Sequence, residues 1–112
     1  MVFNDLEIKA HNLRNDMLKE GTITALDVIL TLGEDNKLTY DLQWRDSIGS
    51  AGIVRNFWIE RINGDKASGR CGFVYEEGPR KFKRSRVNHI HIPSDARILN
   101  SPEYVEFYWI CI

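Results

Sequence analysis

The chain has 112 residues, 43% hydrophobic and 28% charged, with a formal net charge of −1 at pH 7. These values fit one soluble globular domain, expected over residues 1–112, with room for a real core but little for a deep internal cleft. They exclude a global basic field that would draw the protein to nucleic acid, so any such attraction has to come from local clustering.

The first residues show no basic flank followed by an apolar run, and no stretch approaches the length of a membrane span. The expectation is a cytoplasmic protein with no membrane partner. Residues 3–20 are expected to form a helix, with Leu6, Leu13, Met17 and Leu18 near one face. Asn4 or Asp5 is a possible cap at its start and Gly21 a stop. Residues 22–33 and 37–44 are apolar runs around Glu34-Asp35-Asn36. β-Branched residues before that turn and alternation after it predict a hairpin, with a second helix over residues 22–32 as the competing reading. Residues 45–52 read as a loop.

Three strands are expected next: residues 53–62, 67–75 and 80–92, with turns at Asn63-Gly64-Asp65 and Glu76-Glu77-Gly78-Pro79. Ser94 is placed to cap a short helical turn through Leu99. A last strand spans residues 104–112. Its apolar residues fall on both faces, so it is either a core strand or one side of a homodimer interface. Short turns between successive strands predict a mainly β (α+β) fold, a small antiparallel barrel over residues 22–112 preceded by the helix. Cys71 and Cys111 sit singly in apolar runs with no scaffold pattern, and are expected as reduced, inert thiols.

The functional signal is the segment PRKFKRSRV at residues 79–87. Arg80, Lys81, Lys83, Arg84 and Arg86 place five cations in seven residues. In a strand, Arg80, Phe82, Arg84 and Arg86 share a face. Guanidinium forks pair with phosphates and a ring stacks on a base, so this set suits nucleic acid or an anionic small ligand. An edge strand that uses charge against aggregation is the plainer alternative. Arg55 and Arg61, expected on one face of an earlier strand, would extend the patch.

The run GRCGFVYEEGPRKFKRSRV resembles the C-terminal half of a WYL domain. Arg80, Phe82, Arg86 and Val87 match the family's Arg-x-Phe-x-x-x-Arg-Ile spacing. Leu38-Thr39-Tyr40 resembles its strand ending in Tyr, Arg55 the Arg opening the next strand, and residues 59–65 the strand and turn that follow. The resemblance covers residues 37–92. The three letters naming the family would fall at Asp65-Lys66-Ala67, and none matches. The resemblance implies a small SH3-like or Sm-like barrel that senses nucleic-acid strands or nucleotide-like ligands and regulates a partner. It implies a groove lined by Arg55, Arg80, Phe82 and Arg86, with Tyr40 beside them; Arg84 joins this set through strand alternation, not through the resemblance. A free-standing copy, with no winged helix before it, would act as an accessory regulator or as a self-assembled oligomer.

Other constellations carry less. His89 and His91 would share a strand face, but no paired second ligand motif accompanies them, so no metal and no cofactor are expected. No nucleophile stands in a catalytic setting and no Gly-rich phosphate loop occurs, so the protein reads as a non-enzyme. The rival readings are a protein-interaction subunit of inhibitor or immunity type, meeting an acidic partner through the basic segment, and a homo-oligomeric structural module built on the last strand.

Overall fold

The computed structural model describes residues 2–47, 53–78, 93–99 and 103–111. In chain order the elements are α1 (Ala25–Glu34), β1 (Tyr40–Ser47), β2 (Ile53–Ile62), β3 (Asp65–Lys66), β4 (Cys71–Gly78) and β5 (Tyr104–Cys111). The strands form two antiparallel sheets, β1-β2-β3 and β4-β5. The class is mainly β with one helix, as the sequence predicts. The described strands do not close into a single barrel. No helix among the described residues is long and apolar enough to cross a membrane.

The helix found among the described residues is not the one the leading sequence reading places. The run after Gly21, favoured as a strand, forms α1, and the competing helical reading of that run is the one observed. Local capping outweighs β-branching here. Asp27, three residues after Thr24, accepts from the Thr24 backbone N–H at 2.8 Å and from its hydroxyl at 3.3 Å, a capping-box arrangement. The other end closes in a Schellman pattern. Lys37 N–H reaches Leu32 O at 2.9 Å and Asn36 N–H reaches Gly33 O at 3.1 Å, with Asn36 at φ +57°. The supposed hairpin turn is therefore a helix C-terminus.

Residues 3–20 are not helical. Leu13 and Met17 are exposed, and Asp5 and Asn12 take positive φ, so no continuous apolar stripe is buried. This segment instead lies against α1 and spends its backbone donors on helix side chains. Lys9 N–H bonds Thr31 Oγ1 at 3.1 Å, and His11 N–H bonds Asp27 Oδ1 at 3.1 Å.

The core gathers Leu26, Ile29, Leu30 and Leu32 of α1 with Leu38 and Ile59. Tyr40, Leu42, Phe57 and Ile62 close it from β1 and β2, and Phe73 and Phe107 from the second sheet. Gly33 is required by close approach, because a Cβ there would lie 2.3 Å from Tyr40 Cε1.

The turn at Asn63-Gly64 is present, but the strand expected over residues 67–75 is broken. β3 is only two residues long, and Ser68 and Cys71 exchange backbone bonds at 3.0 and 2.8 Å around Gly69 at φ +55°. Glu76, Glu77 and Gly78, expected as a turn, belong to β4. The strand expected over residues 80–92 lies outside the described residues. After Pro93 there is a single turn rather than a helix (Ala96 N–H to Pro93 O, 2.9 Å), and Ile98 then bridges Thr24.

Cys71 stands directly opposite Cys111 in the β4-β5 ladder, their Cα atoms 4.0 Å apart, and the two form a disulfide. The expectation of free thiols is overturned. The cause is register: residues 40 apart in the chain become cross-strand neighbours. The argument from free thiols to a reducing compartment loses its basis.

Two outcomes test this packing. Gly33→Ala should lower the melting temperature by about 5 °C or more, since overpacking of roughly 1–3 kcal/mol exceeds the gain in helix propensity. An unchanged melt would place the Tyr40 ring elsewhere. Cys71→Ser with Cys111→Ser should cost roughly 2–4 kcal/mol in urea unfolding, and a non-reducing peptide map should link the two cysteine peptides.

Candidate functional site

Charge is unevenly divided along the chain. Residues 79–92 hold five of the fifteen Lys and Arg residues and none of the sixteen Asp and Glu residues. The remainder carries ten cations against sixteen acids. In the described body five of these ten have a carboxylate partner. Arg61 meets Asp41 at 2.7 Å, Lys66 meets Glu60 at 4.0 Å, and Arg55 meets Asp46 at 3.8 Å. Arg97 pairs with Glu77, and Arg14 with Asp16 and Asp95.

The two flanks of the basic segment are tied together. Glu77 lies near the end of β4 with its side chain wholly buried, and its Oε1 accepts from Arg97 Nε. Glu77 Oε2 is buried with no hydrogen-bond partner among the described residues. Burial pushes the Glu77 carboxyl above its ordinary value, and the Arg97 guanidinium opposes that rise. Tyr75, two residues earlier and 6% exposed, stacks on Phe107 with ring centroids 5.4 Å apart. Its phenol is pushed up chiefly by burial and then by the Glu77 charge. On the return side, Asp95 is 1% exposed. Its Oδ2 accepts from Arg14 Nη1 at 3.0 Å and from Phe57 N–H at 2.8 Å. The chain leaving the basic segment is thereby fixed to β2 (Ile53–Ile62).

Of the residues singled out from sequence, Arg80, Phe82, Arg84 and Arg86 lie outside the described residues, as do His89 and His91. Tyr40 is half-buried in the core at the start of β1, opposite Ile62. Arg55 is 72% exposed near the other end of β2. Seven strand residues separate Arg55 from Ile62, a span of about 23 Å, so the structure does not bring Arg55 and Tyr40 together. Arg55 and Arg61 do not share a face either. Asp41 pairs with Arg61 but Leu42 with Ile59, so a bulge at Glu60 reverses the alternation and turns Arg61 away from the Phe57 and Ile59 face.

Three arrangements carry no obvious sequence signal. Arg14 donates to Asp16, Asp95 and the Arg55 carbonyl, and its guanidinium lies 5.0 Å from the Trp44 ring centroid. His11 is bonded by both ring nitrogens, Nδ1 to Asp27 at 2.8 Å and Nε2 to Glu34 at 2.7 Å. Arg45 lies over the Trp58 ring at 4.0 Å. The first two consume their own partners in holding the N-terminal segment. Beside them a shallow recess, with room for about one water molecule, is walled by Asn12, Arg14, Thr24, Asp27, Leu30 and Asp95. No group of three metal-ligating side chains forms among the described residues.

Compared with protein-family models, curated proteins and solved structures, the chain matches none.

The Glu77 carboxyl gives a pH dependence with a defined sign. Its folded-state value is raised, so its contribution is fully present below the ordinary glutamate range and is lost as pH rises through the folded value. Glu77→Gln removes that loss. The stability of the variant relative to wild type should therefore grow with pH across this window, measured by urea unfolding from acid to neutral pH. A constant difference would place the Glu77 carboxyl in water.

Proposed function

We propose that this protein is a non-enzymatic regulatory binding domain, WYL-like in design, whose arginine and aromatic segment takes a nucleic-acid strand or a nucleotide-like anion. The observation that carries the reading is the segregation of charge. Five cations and one ring, without a single acid, are inserted into a chain whose remaining residues are net acidic. Several acids of the described body have partners of their own, including Asp41, Asp95 and Glu77, and so compete less for the inserted cations.

The spacing of Arg80, Phe82 and Arg86 supports recognition over plain solvation. Arginine forks suit phosphate, and Phe82 adds a stacking surface. The tie between Glu77 and Arg97 supports it as well, because anchoring both flanks limits the freedom lost when the segment engages a ligand. In this reading the two antiparallel sheets are parts of a small SH3-like or Sm-like barrel, and Arg55 and Arg84 add to the basic face.

The test is fluorescence anisotropy with short single-stranded DNA and RNA across a range of salt, comparing wild type with the Arg80→Ala/Arg86→Ala variant. Affinity should fall steeply with salt, and the variant should bind at least tenfold more weakly with a salt slope reduced by about 2. Absence of binding by wild type at low salt would overturn the proposal. Capture of one stoichiometric acidic protein, lost in the same variant, would move the segment to a protein interface.

A further inference from the structure

One ring near the start of the chain is engaged on both of its nitrogens. His11 lies in the segment that runs along α1 (Ala25–Glu34), with its side chain 14% exposed. Nδ1 meets Asp27 Oδ1 at 2.8 Å and Nε2 meets Glu34 Oε1 at 2.7 Å. An ionised carboxylate only accepts hydrogen bonds, so both nitrogens must carry a proton to bond both acids. The docked arrangement is therefore complete only for the imidazolium, one cation between two carboxylates.

The helix supplies its partners from one stripe. Asp27, Thr31 and Glu34 are spaced four and three residues apart and line a single face. All three bond the N-terminal segment, since Asp27 also accepts from His11 N–H and Thr31 accepts from Lys9 N–H, each at 3.1 Å. The two carboxylates differ in what else holds them. Asp27 is buried and fixed by the Thr24 N–H and hydroxyl. Glu34 is half-exposed and has His11 as its one partner among the described residues. It also ends α1, where the helix dipole disfavours an anion.

The surrounding charges leave this balance alone. Arg14 is turned to Asp16 and Asp95. Lys19 borders the recess beside Asp27, but like Glu7, Lys9, Asp35 and Lys37 it is exposed and forms no ion pair among the described residues. When the ring gives up one proton, one nitrogen presents a lone pair to a carboxylate oxygen. The contact that fails is the one to Glu34, because Asp27 is held by Thr24 and by the His11 backbone. Two backbone bonds and the packing of Leu6 then remain to hold residues 2–11. Beyond His11 the chain is fastened separately. Asn12, at φ +55°, accepts from Gly21 N–H at 2.8 Å, and Arg14 is buried against Asp95.

We propose that His11 is a proton-operated latch, whose imidazolium clamps residues 2–11 onto α1 and whose loss of one proton releases them while the chain from Asn12 onward stays docked. Docking binds the proton, so it is fullest at acid pH and weakens as pH rises through the titration of the ring. The latch shares no residue with the basic segment and does not depend on what that segment binds.

The experiment follows the His11 Cε1–H signal and backbone 15N relaxation by NMR, from about pH 5 to about pH 8.5, in wild type, Glu34→Gln and His11→Gln. In wild type the order parameters of residues 6–11 should be near about 0.85 at acid pH and fall below about 0.6 as the ring titrates, while those of residues 14–18 hold. Glu34→Gln alters a half-exposed side chain and should fold as wild type. Its amide can accept from Nε2 or donate to it, so the segment should stay docked across the range. His11→Gln should lower the order of residues 6–11 with no pH step. Wild-type order that does not change with pH would overturn the latch, whatever the ring does. A step of wild-type size in either variant would assign the release to another group and overturn the role of His11.

Discussion

The buried pair of Arg14 and Asp95 is the contact on which the rest of the molecule hangs. Arg14 comes from a segment with no regular structure, and Asp95 from a single turn near the other end of the chain. Neither segment contributes a fully buried apolar side chain to the core among the described residues. Through one guanidinium and one carboxylate, both are fastened to β2 at Arg55 O and Phe57 N. Breaking such a pair from one side leaves a charge stranded out of water, at a cost of about 3–5 kcal/mol. Replacing both partners with apolar groups is often far less damaging. The pair therefore defines where the chain goes more than it adds net stability.

The same economy governs the electrostatics. Carboxylates in the described body are used one by one to hold particular arginines in particular places. Asp41 holds Arg61, Glu77 holds Arg97, and Asp16 and Asp95 hold Arg14. Arg45 instead lies against an aromatic ring and an amide, with no carboxylate partner among the described residues. A chain that is nearly neutral overall thus contains, among its described residues, arginines with and without a carboxylate partner. Net charge averages over that distinction.

What could be read from the sequence was what depends on neighbours in the chain. β2, β5 and the Asn63-Gly64 turn follow from alternation and turn chemistry, and they stand close to where the pattern puts them. α1 is ambiguous in sequence because Val28, Ile29 and Thr31 look strand-like, while Thr24 and Asp27, three apart, are the local sign of a helix start. The course of residues 3–20 is hidden in the sequence because their partners are Thr31, Asp27 and Glu34, at 16 to 23 residues' separation. Register decided the rest. The bulge at Glu60 separates Arg55 from Arg61, the β4-β5 ladder joins Cys71 to Cys111, and the pairing of Gln43 with Trp58 creates the Arg45 stack. None of these is visible until the strands are aligned. The basic segment itself was plain from composition alone.

The disulfide between Cys71 and Cys111 also closes a covalent ring, and residues 72–110 lie inside it. The entire basic segment belongs to that ring, together with Glu77, Asp95 and Arg97. A peptide bond cut anywhere within it leaves two pieces that are still one molecule. Both cut ends would remain attached to the β4-β5 ladder and to the pairs that anchor the flanks. In an environment containing proteases, the basic segment of this chain can be nicked without being shed, for as long as the two sulfurs stay joined.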